Sequence, residues 1–460
     1  MRWICIVAAI LFVSSAHAQI SAFKLTAEDT TNATWHNTSR FINTNKTLQP
    51  LGAFEVDIQF NGSVFTNNLV GFQFQKKVKN LAVQIAPYFF LANDLGSRFA
   101  PSADIRVGML DKSSRRYSHK IDAIANVVWE PIKYIKLAVG KGNHQLGRGI
   151  NSLLWAGNGA PSYYGLAELQ TNKLSYRVQW DAIALTSVHN IKWTAKHTVT
   201  VHLPKKWQIS LFEAVIWGAK DSTYNRGFDW QYLAPTVIYR PTEFNGGSAD
   251  NVILGLDWSG SLYKRVSTYG QVVVDEFLLD EIRKSDGWWA NKFGAQVGLS
   301  YQNRKHFLQS ELNVVRPFTY SHGNTVIAYT NQSVPLGAWS GAGFAEIVAA
   351  YKYAVSNKMT IGVMGSAGTY KNLYTGNYGG NPFQSYNSRL GERNHSIGGV
   401  NSSNGITLSA SVSYLAIPKL NTFLSVWVRT NVRADNDYSY TWLQIKLSNT
   451  LFSKFYKSNF

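Results

Sequence analysis

The sequence predicts an all-β protein, a transmembrane antiparallel barrel of the bacterial outer-membrane type, and three observations carry that prediction. Segments of about ten residues alternate apolar and polar side chains, as a wall with one lipid face and one wet face requires. Aromatics make up 14% of the 460 residues, with 24 Tyr, 15 Trp and 36 Gly, a composition suited to aromatic girdles around an apolar band. Beyond the N-terminal segment no run approaches eighteen consecutive apolar residues. A chain of this kind can cross a membrane only as a closed barrel, because lipid leaves sheet edges unsatisfied.

The N-terminus has Met1 and Arg2, an apolar run from Trp3 to Val13, and small residues ending at Ala18. This is the pattern of a cleaved signal over 1–18, with the mature chain starting at Gln19. The only cysteine, Cys5, lies inside that signal, so the exported chain is expected to carry neither disulfide nor lipid anchor. Residues 19–51, rich in Thr, Asn and Ser, read as a periplasmic leader. The barrel is expected over 52–460.

Phe54, Val56, Ile58 and Phe60 face one way and Glu55, Asp57 and Gln59 the other, which makes the first convincing strand. Further strands are read at Val70 to Phe74, Leu81 to Phe89, Ala103 to Met109, Ile121 to Trp129 and Tyr134 to Gly140. Lys76 to Asn80, Glu130 to Lys133 and Ile417 to Asn421 read as short turns at one end. Long Gly- and Asn-rich segments read as extracellular loops: Gly142 to Tyr164, Lys220 to Gln231, Arg240 to Asp250, Asp280 to Trp289, Tyr320 to Gly343 and Lys371 to Asn404. Near the C-terminus, Leu424, Val426, Val428 and Val432 alternate with Trp427, Arg429, Asn431 and Arg433. If the apolar set meets lipid, both arginines point into the lumen. A strand with its share of turns takes about 24 residues, so the exported chain accommodates roughly eighteen strands, with sixteen as the other count.

The stretch FLQSELNVVRPFTY from Phe307 to Tyr320 sets Leu308, Leu312 and Val314 on one face and Gln309, Glu311 and Asn313 on the other. That polar face lacks the Lys/Glu mixture of a solvated surface and fits a barrel interior. Leu308 to His322 resembles a motif of the Wzi-type capsule assembly proteins of Bacteroidetes, whose relatives include the gliding-associated RemB proteins. Gly140 to Trp155 with Ala160 and Pro161 is similar to that family's glycine-rich segment, and Tyr239 to Gly255 to another of its signatures. Asp275 to Phe277, Trp288 to Gly294 and Gly343 to Glu346 extend the resemblance over roughly residues 135 to 350. Where the family has Leu-Ala-His-Pro, this chain has Leu336 to Trp339, reading LGAW, so no role of that histidine carries over.

The resemblance implies a non-catalytic surface protein that binds or organises acidic polysaccharide. The residues agree. No nucleophile elbow, His-Glu-x-x-His helix or phosphate loop is present, so neither enzyme chemistry nor a cofactor or metal is expected. The formal charge is +18, from 45 Lys+Arg against 27 Asp+Glu, and an exported chain has acidic glycan or lipopolysaccharide phosphate, not nucleic acid, as the natural counterpart. Sugar binding asks for aromatic faces beside Arg and Asn donors. Arg316, Tyr320, His322, Trp288, Trp289, Arg429 and Arg433 are the candidate ligand residues, with Trp155, Tyr163, Tyr164 and Trp339 as further loop aromatics. Glu311 and Arg316 read first as an ion-pair network bracing the wall, with Asn313, Asp275 and Glu346 as its other members. A porin-like channel for anionic solutes is the second reading, a gliding-associated surface role the third, and an outer-membrane hydrolase would need a rim Ser/His or Asp/His pair that the sequence does not specify. The expected partners are outer-membrane lipid and the glycan, with the barrel a monomer.

Overall fold

The computed structural model describes residues 48–59, 64–94, 103–104, 108–112, 117–157, 159–184, 191–220, 226–234, 239, 250–276, 278–284, 286–332, 334–373, 376–434 and 439–449. The expected signal, most of the leader and the terminal Phe460 lie outside them. Eighteen antiparallel strands form the barrel wall: β1 Leu48–Gln59, β2 Val64–Val78, β3 Leu81–Asp94, β4 Tyr117–Ile132, β5 Ile135–Gly142, β6 Ser162–Gln170, β7 Leu174–Ala184, β8 Ile191–Leu203, β9 Trp207–Gly218, β10 Asn251–Tyr263, β11 Val266–Glu276, β12 Lys292–Gln302, β13 His306–Val315, β14 Phe344–Ala354, β15 Met359–Lys371, β16 Ser402–Ile417, β17 Thr422–Arg433 and β18 Tyr440–Asn449. Each pairs with its neighbours in sequence, and β1 pairs with β18 from Ala53↔Ser448 to Gln59↔Trp442, which closes the sheet. Closure removes every edge, the condition for a spanning sheet.

The period-two pattern decides which side chains meet lipid. On β13, Leu308 and Leu312 remain 44% and 49% exposed while Glu311 and Asn313 are 1% and 0% exposed, so the apolar face is the outer one. On β17, Val426 and Val428 face out and Arg429 is buried inside. A charge on the outer face near the midplane would cost about 2–4 kcal/mol, which fixes this choice of face. Among the described residues no helix is long and apolar enough to cross a membrane.

The two ends differ in their connections. At one end lie eight turns, 79–80, 133–134, 171–173, 204–206, 264–265, 303–305, 355–358 and 418–421. The other end carries 60–63, 95–116, 143–161, 185–190, 219–250, 277–291, 316–343, 372–401 and 434–439, among them all the long loops. Three expectations change. Within Ala103 to Met109 the described residues do not join the wall: Ala103–Asp104 pairs with Gly108–Met109, and Asp111–Lys112 adds a short rung to β4. β1 begins at Leu48, inside the expected leader, because its pairing with Phe74 of β2 runs that far. Lys76, Lys77 and Glu130 belong to strands, leaving turns of two residues at 79–80 and 133–134.

Candidate functional site

The lumen is occupied by the chain itself. Segment 143–161, expected as an external loop, folds into the barrel and buries Leu146, Leu153, Leu154 and Trp155 against Phe212, Ile253, Val273 and Val315. It can enter because the wall offers polar partners for its backbone. The carboxylate of Glu311 accepts the amides of Ile150 at 2.7 Å and Asn151 at 2.8 Å, and also the Tyr269 hydroxyl at 3.0 Å. Gln271 accepts the Leu153 amide at 2.7 Å, and Gln296 donates to the Asn151 carbonyl at 2.6 Å. The Asn151 side chain donates to Glu346 at 2.7 Å and accepts the Trp339 amide at 2.9 Å. Gly147, at φ +87°, lies so close to Gln271 that an added Cβ would fall 1.8 Å from its amide nitrogen.

Segment 316–343 seals this plug from above. The hydroxyls of Tyr320 and Tyr329 donate to the carbonyls of Leu153 and Leu154 at 2.8 and 2.6 Å, and the Ala156 amide donates to Leu336 O at 2.7 Å. Tyr320 holds a left-handed backbone, φ 75°, that its bonds stabilise: its amide donates to Asp275 at 2.9 Å, and Asp275 pairs with Lys292 at 3.2 Å. Burial drives the Tyr320 hydroxyl above its ordinary pKa, so it stays a donor.

The expected Glu311–Arg316 ion pair does not form. Glu311 is consumed by the plug, while the Arg316 guanidinium donates to the carbonyls of Asn291 (2.7 Å), Trp288 (3.2 Å) and His395 (3.4 Å). Arg316 leaves β13 beyond its last wall residue and so reaches the loops above instead of the lumen. Glu311, Asn313 and Glu346 do form one network, through Asn151 and two bonds from the Asn313 amide. Asp275 belongs to a separate node with Lys292.

The mouth is built from 277–291, 316–343 and 372–401. Residues 286–289 and 392–395 clasp each other through Trp289 N to Glu392 O (3.0 Å), Asn394 N to Asp286 O (2.9 Å) and His395 N to Gly287 O (2.9 Å). Arg393 pairs with Asp286 and Glu281, Arg389 with Glu392. Trp288 and Trp289 lie side by side, ring centroids 6.2 Å apart, and Trp289 also meets Tyr386 at 4.8 Å and the Arg389 guanidinium at 4.2 Å. His322 accepts the Asn324 amide at 3.1 Å and packs edge-on to Tyr386. Burial, aided by Lys292, holds the His322 pKa below its ordinary value, and burial with Lys371, Arg389 and Arg316 nearby does the same for His395.

The structure therefore brings Trp288, Trp289, Arg316 and His322 together at the mouth, with Tyr320 fully buried beneath them. Arg429 and Arg433 lie elsewhere, on the inner face of β17, over the rings of Trp442 and Tyr370. Trp155, Tyr164 and Trp339, offered above as sugar platforms, are all buried, and Tyr163 faces outward. Tyr386, Arg389 and His395 were missed; a lone Tyr or Arg in a Gly- and Asn-rich loop carries no signal of its own.

No family model matches the chain, and no curated protein matches it. Among solved structures it is similar to Wzi of Escherichia coli, described as an outer membrane protein involved in Group 1 capsule assembly and a carbohydrate-binding β-barrel. The TM-score is 0.52 at 12% identity, over 88% of this chain and 85% of that one. It is also similar to OpdK of Pseudomonas aeruginosa, solved with vanillate, with a TM-score of 0.50 at 9% identity over 87% and 97% of the two chains. At such identities the likeness is one of fold.

Proposed function

We propose that this is a non-catalytic outer-membrane surface protein that binds or organises acidic polysaccharide at its loop-covered mouth, a Wzi-like role in capsule or extracellular glycan assembly. The observation that carries the reading is the division of labour between lumen and mouth. The lumen is filled by a segment bonded to Glu311, Gln271 and Gln296. Above it Trp288, Trp289, Tyr386 and His322 are only partly covered, and the Arg389 guanidinium, paired with Glu392, lies over the Trp289 ring. Partly covered indole and phenol faces suit the C–H surfaces of sugars, and a neighbouring guanidinium suits their carboxylates. A carbohydrate-binding barrel among the structures of similar fold supports the same reading. A porin-like anion channel needs an open lumen, which a seated plug opposes, and steady large conductances in a planar bilayer would favour it instead.

The test is retention of the purified barrel on an immobilised uronic-acid polymer. Replacing Trp288 and Trp289 together with Ala should reduce retention at least tenfold while the folded band persists on unheated gels. Unchanged retention would remove the mouth as the binding surface. Surface glycan staining of a deletion strain, with and without the gene restored, separates a capsule role from a motility role.

A further inference from the structure

The excess positive charge is not gathered at the mouth. Each of the eight short turns carries at least one exposed Lys or Arg, eleven in all, and those turns contain no Asp or Glu. In the sequence these cations are scattered; closure of the barrel arranges them as a ring around one rim. Three sit in the left-handed region that most residues with a side chain disfavour: Lys79 at φ 50°, Lys205 at φ 56° and Lys206 at φ 63°. Glycine or asparagine relieves such positions, so lysine there is a charge kept against conformational preference.

Directly beside the ring stand large exposed side chains: Trp129, Ile132, Tyr134, Tyr263 and Tyr414. Lys133 lies over the Tyr134 ring at 5.6 Å. Amphipathic rings at the margin of an apolar band, with long cations reaching past them, are the side chains that settle at a bilayer's headgroup level. The distribution tells a lipid from a protein partner. A docked protein would touch one sector of the rim, whereas a leaflet touches all of it, and the cations occupy every turn.

We propose that this basic rim anchors the barrel by binding the anionic phosphate headgroups of the leaflet that surrounds its short-turn end. The association is electrostatic and weakens as salt screens it. It is independent of what the mouth binds.

The test uses the purified, folded barrel in neutral detergent, exchanged into equal amounts of phosphatidylglycerol and phosphatidylcholine, with retained lipid counted by native mass spectrometry. The unaltered protein should retain the anionic lipid at least fivefold over the zwitterionic one at low salt, and approach parity at high salt. The combined variant K79Q/K133Q/K173Q/R265Q/K305Q/K358Q removes six of the eleven cations and should lose at least half of the preference at low salt. Its two halves, K79Q/K133Q/K173Q and R265Q/K305Q/K358Q, on different sectors of the rim, should each lose a comparable part of the preference. No preference in the unaltered protein, or full preference in the combined variant, would overturn the proposal. Loss confined to one half would also overturn the ring, in favour of a one-sided acidic partner. All these substitutions are exposed, and a retained heat-modifiable band certifies folding; should the combined variant not fold, the two halves alone decide the question.

Discussion

The two ends of this barrel use cations in opposite ways. At the mouth, Arg316 gives its donors to three loop carbonyls, Arg393 pairs with Asp286 and Glu281, and Lys292 pairs with Asp275 and Glu276. These groups build the loops' own architecture. At the short-turn rim the cations stand exposed in turns that contain no carboxylate. Long loops have to satisfy many backbone groups over a filled lumen, and a guanidinium that collects several carbonyls does so with one side chain. Turns of two to four residues have little to brace, so their charges are left to face outward. A high net charge therefore does not locate a binding site; the bonding of each cation does.

The largest expected effect comes from the bonds beneath the mouth. Glu311→Ala orphans the amides of Ile150 and Asn151, and each buried unsatisfied donor costs about 1–3 kcal/mol. The plug should loosen while the wall stays closed, so single-barrel conductance in a planar bilayer should rise from near zero to discrete openings. A variant that remains as silent as the unaltered barrel would show that segment 316–343 alone seals the lumen.

A smaller effect is expected one layer up. Arg316→Met removes charge-assisted bonds, worth about 1.5–3 kcal/mol together in this half-buried setting. Segments 286–291 and 392–395 should become open to protease added to the folded barrel while its heat resistance changes little. An Arg of the rim, such as Arg265, changed to Met should leave both readouts where they were, which is the contrast between the ends in a single pair of mutants.

Much of this was legible in the sequence because a lipid-facing wall imposes period two on every strand, as in Phe54 to Phe60 and Leu424 to Val432. Loop length announced the two ends in the same way. The plug was not legible. Whether 143–161 stays outside or folds inward depends on Glu311, a partner 161 residues from Ile150, and Glu311 itself reads only as an inward carboxylate. The Arg316 contacts were hidden for a related reason, since the residue lies just past the end of β13 and the strand pattern does not reach it. The basic rim was in plain sight but dispersed, one or two residues per turn, and only closure gathers it.

Acid should act on the mouth. Burial holds His395 below its ordinary pKa, with Lys371, Arg389 and Arg316 opposing protonation and Glu392 the carboxylate nearby. A depressed folded value means the neutral ring stabilises the loops above the unfolded value of about 6.5, and that contribution is lost as pH falls through the folded value. Hydrogen exchange over 386–399, corrected for its intrinsic pH dependence, should quicken between pH 7.5 and pH 5 and should do so less in His395→Asn. Equal quickening in both would place the acid-sensitive group elsewhere.

The smallest expected effect on glycan retention belongs to Arg429 and Arg433, which lie between the two regimes. They face inward from β17, and Arg433 lies 5.1 Å from the ring of Tyr370, whose hydroxyl donates to Glu346 at 2.9 Å, the carboxylate that also holds Asn151. Arg429 lies 6.0 Å from the ring of Trp442 on the adjoining strand. A cation over an aromatic face contributes about 0.5–1 kcal/mol at exposed sites and about 2 kcal/mol when desolvated, as the buried Arg429 is. The bonds of Glu311 and Glu346 go to the plug, to Tyr269, Tyr370 and to neighbouring side chains, so neither carboxylate is held by these arginines. Replacing both arginines with Gln should accordingly lower the barrel's heat resistance, chiefly through the buried Arg429, and leave retention on the acidic polymer unchanged at low and high salt. Should retention fall, and fall most at low salt where screening is weakest, the inner face of β17 would be part of the glycan path, and the mouth would no longer be the whole of the binding surface.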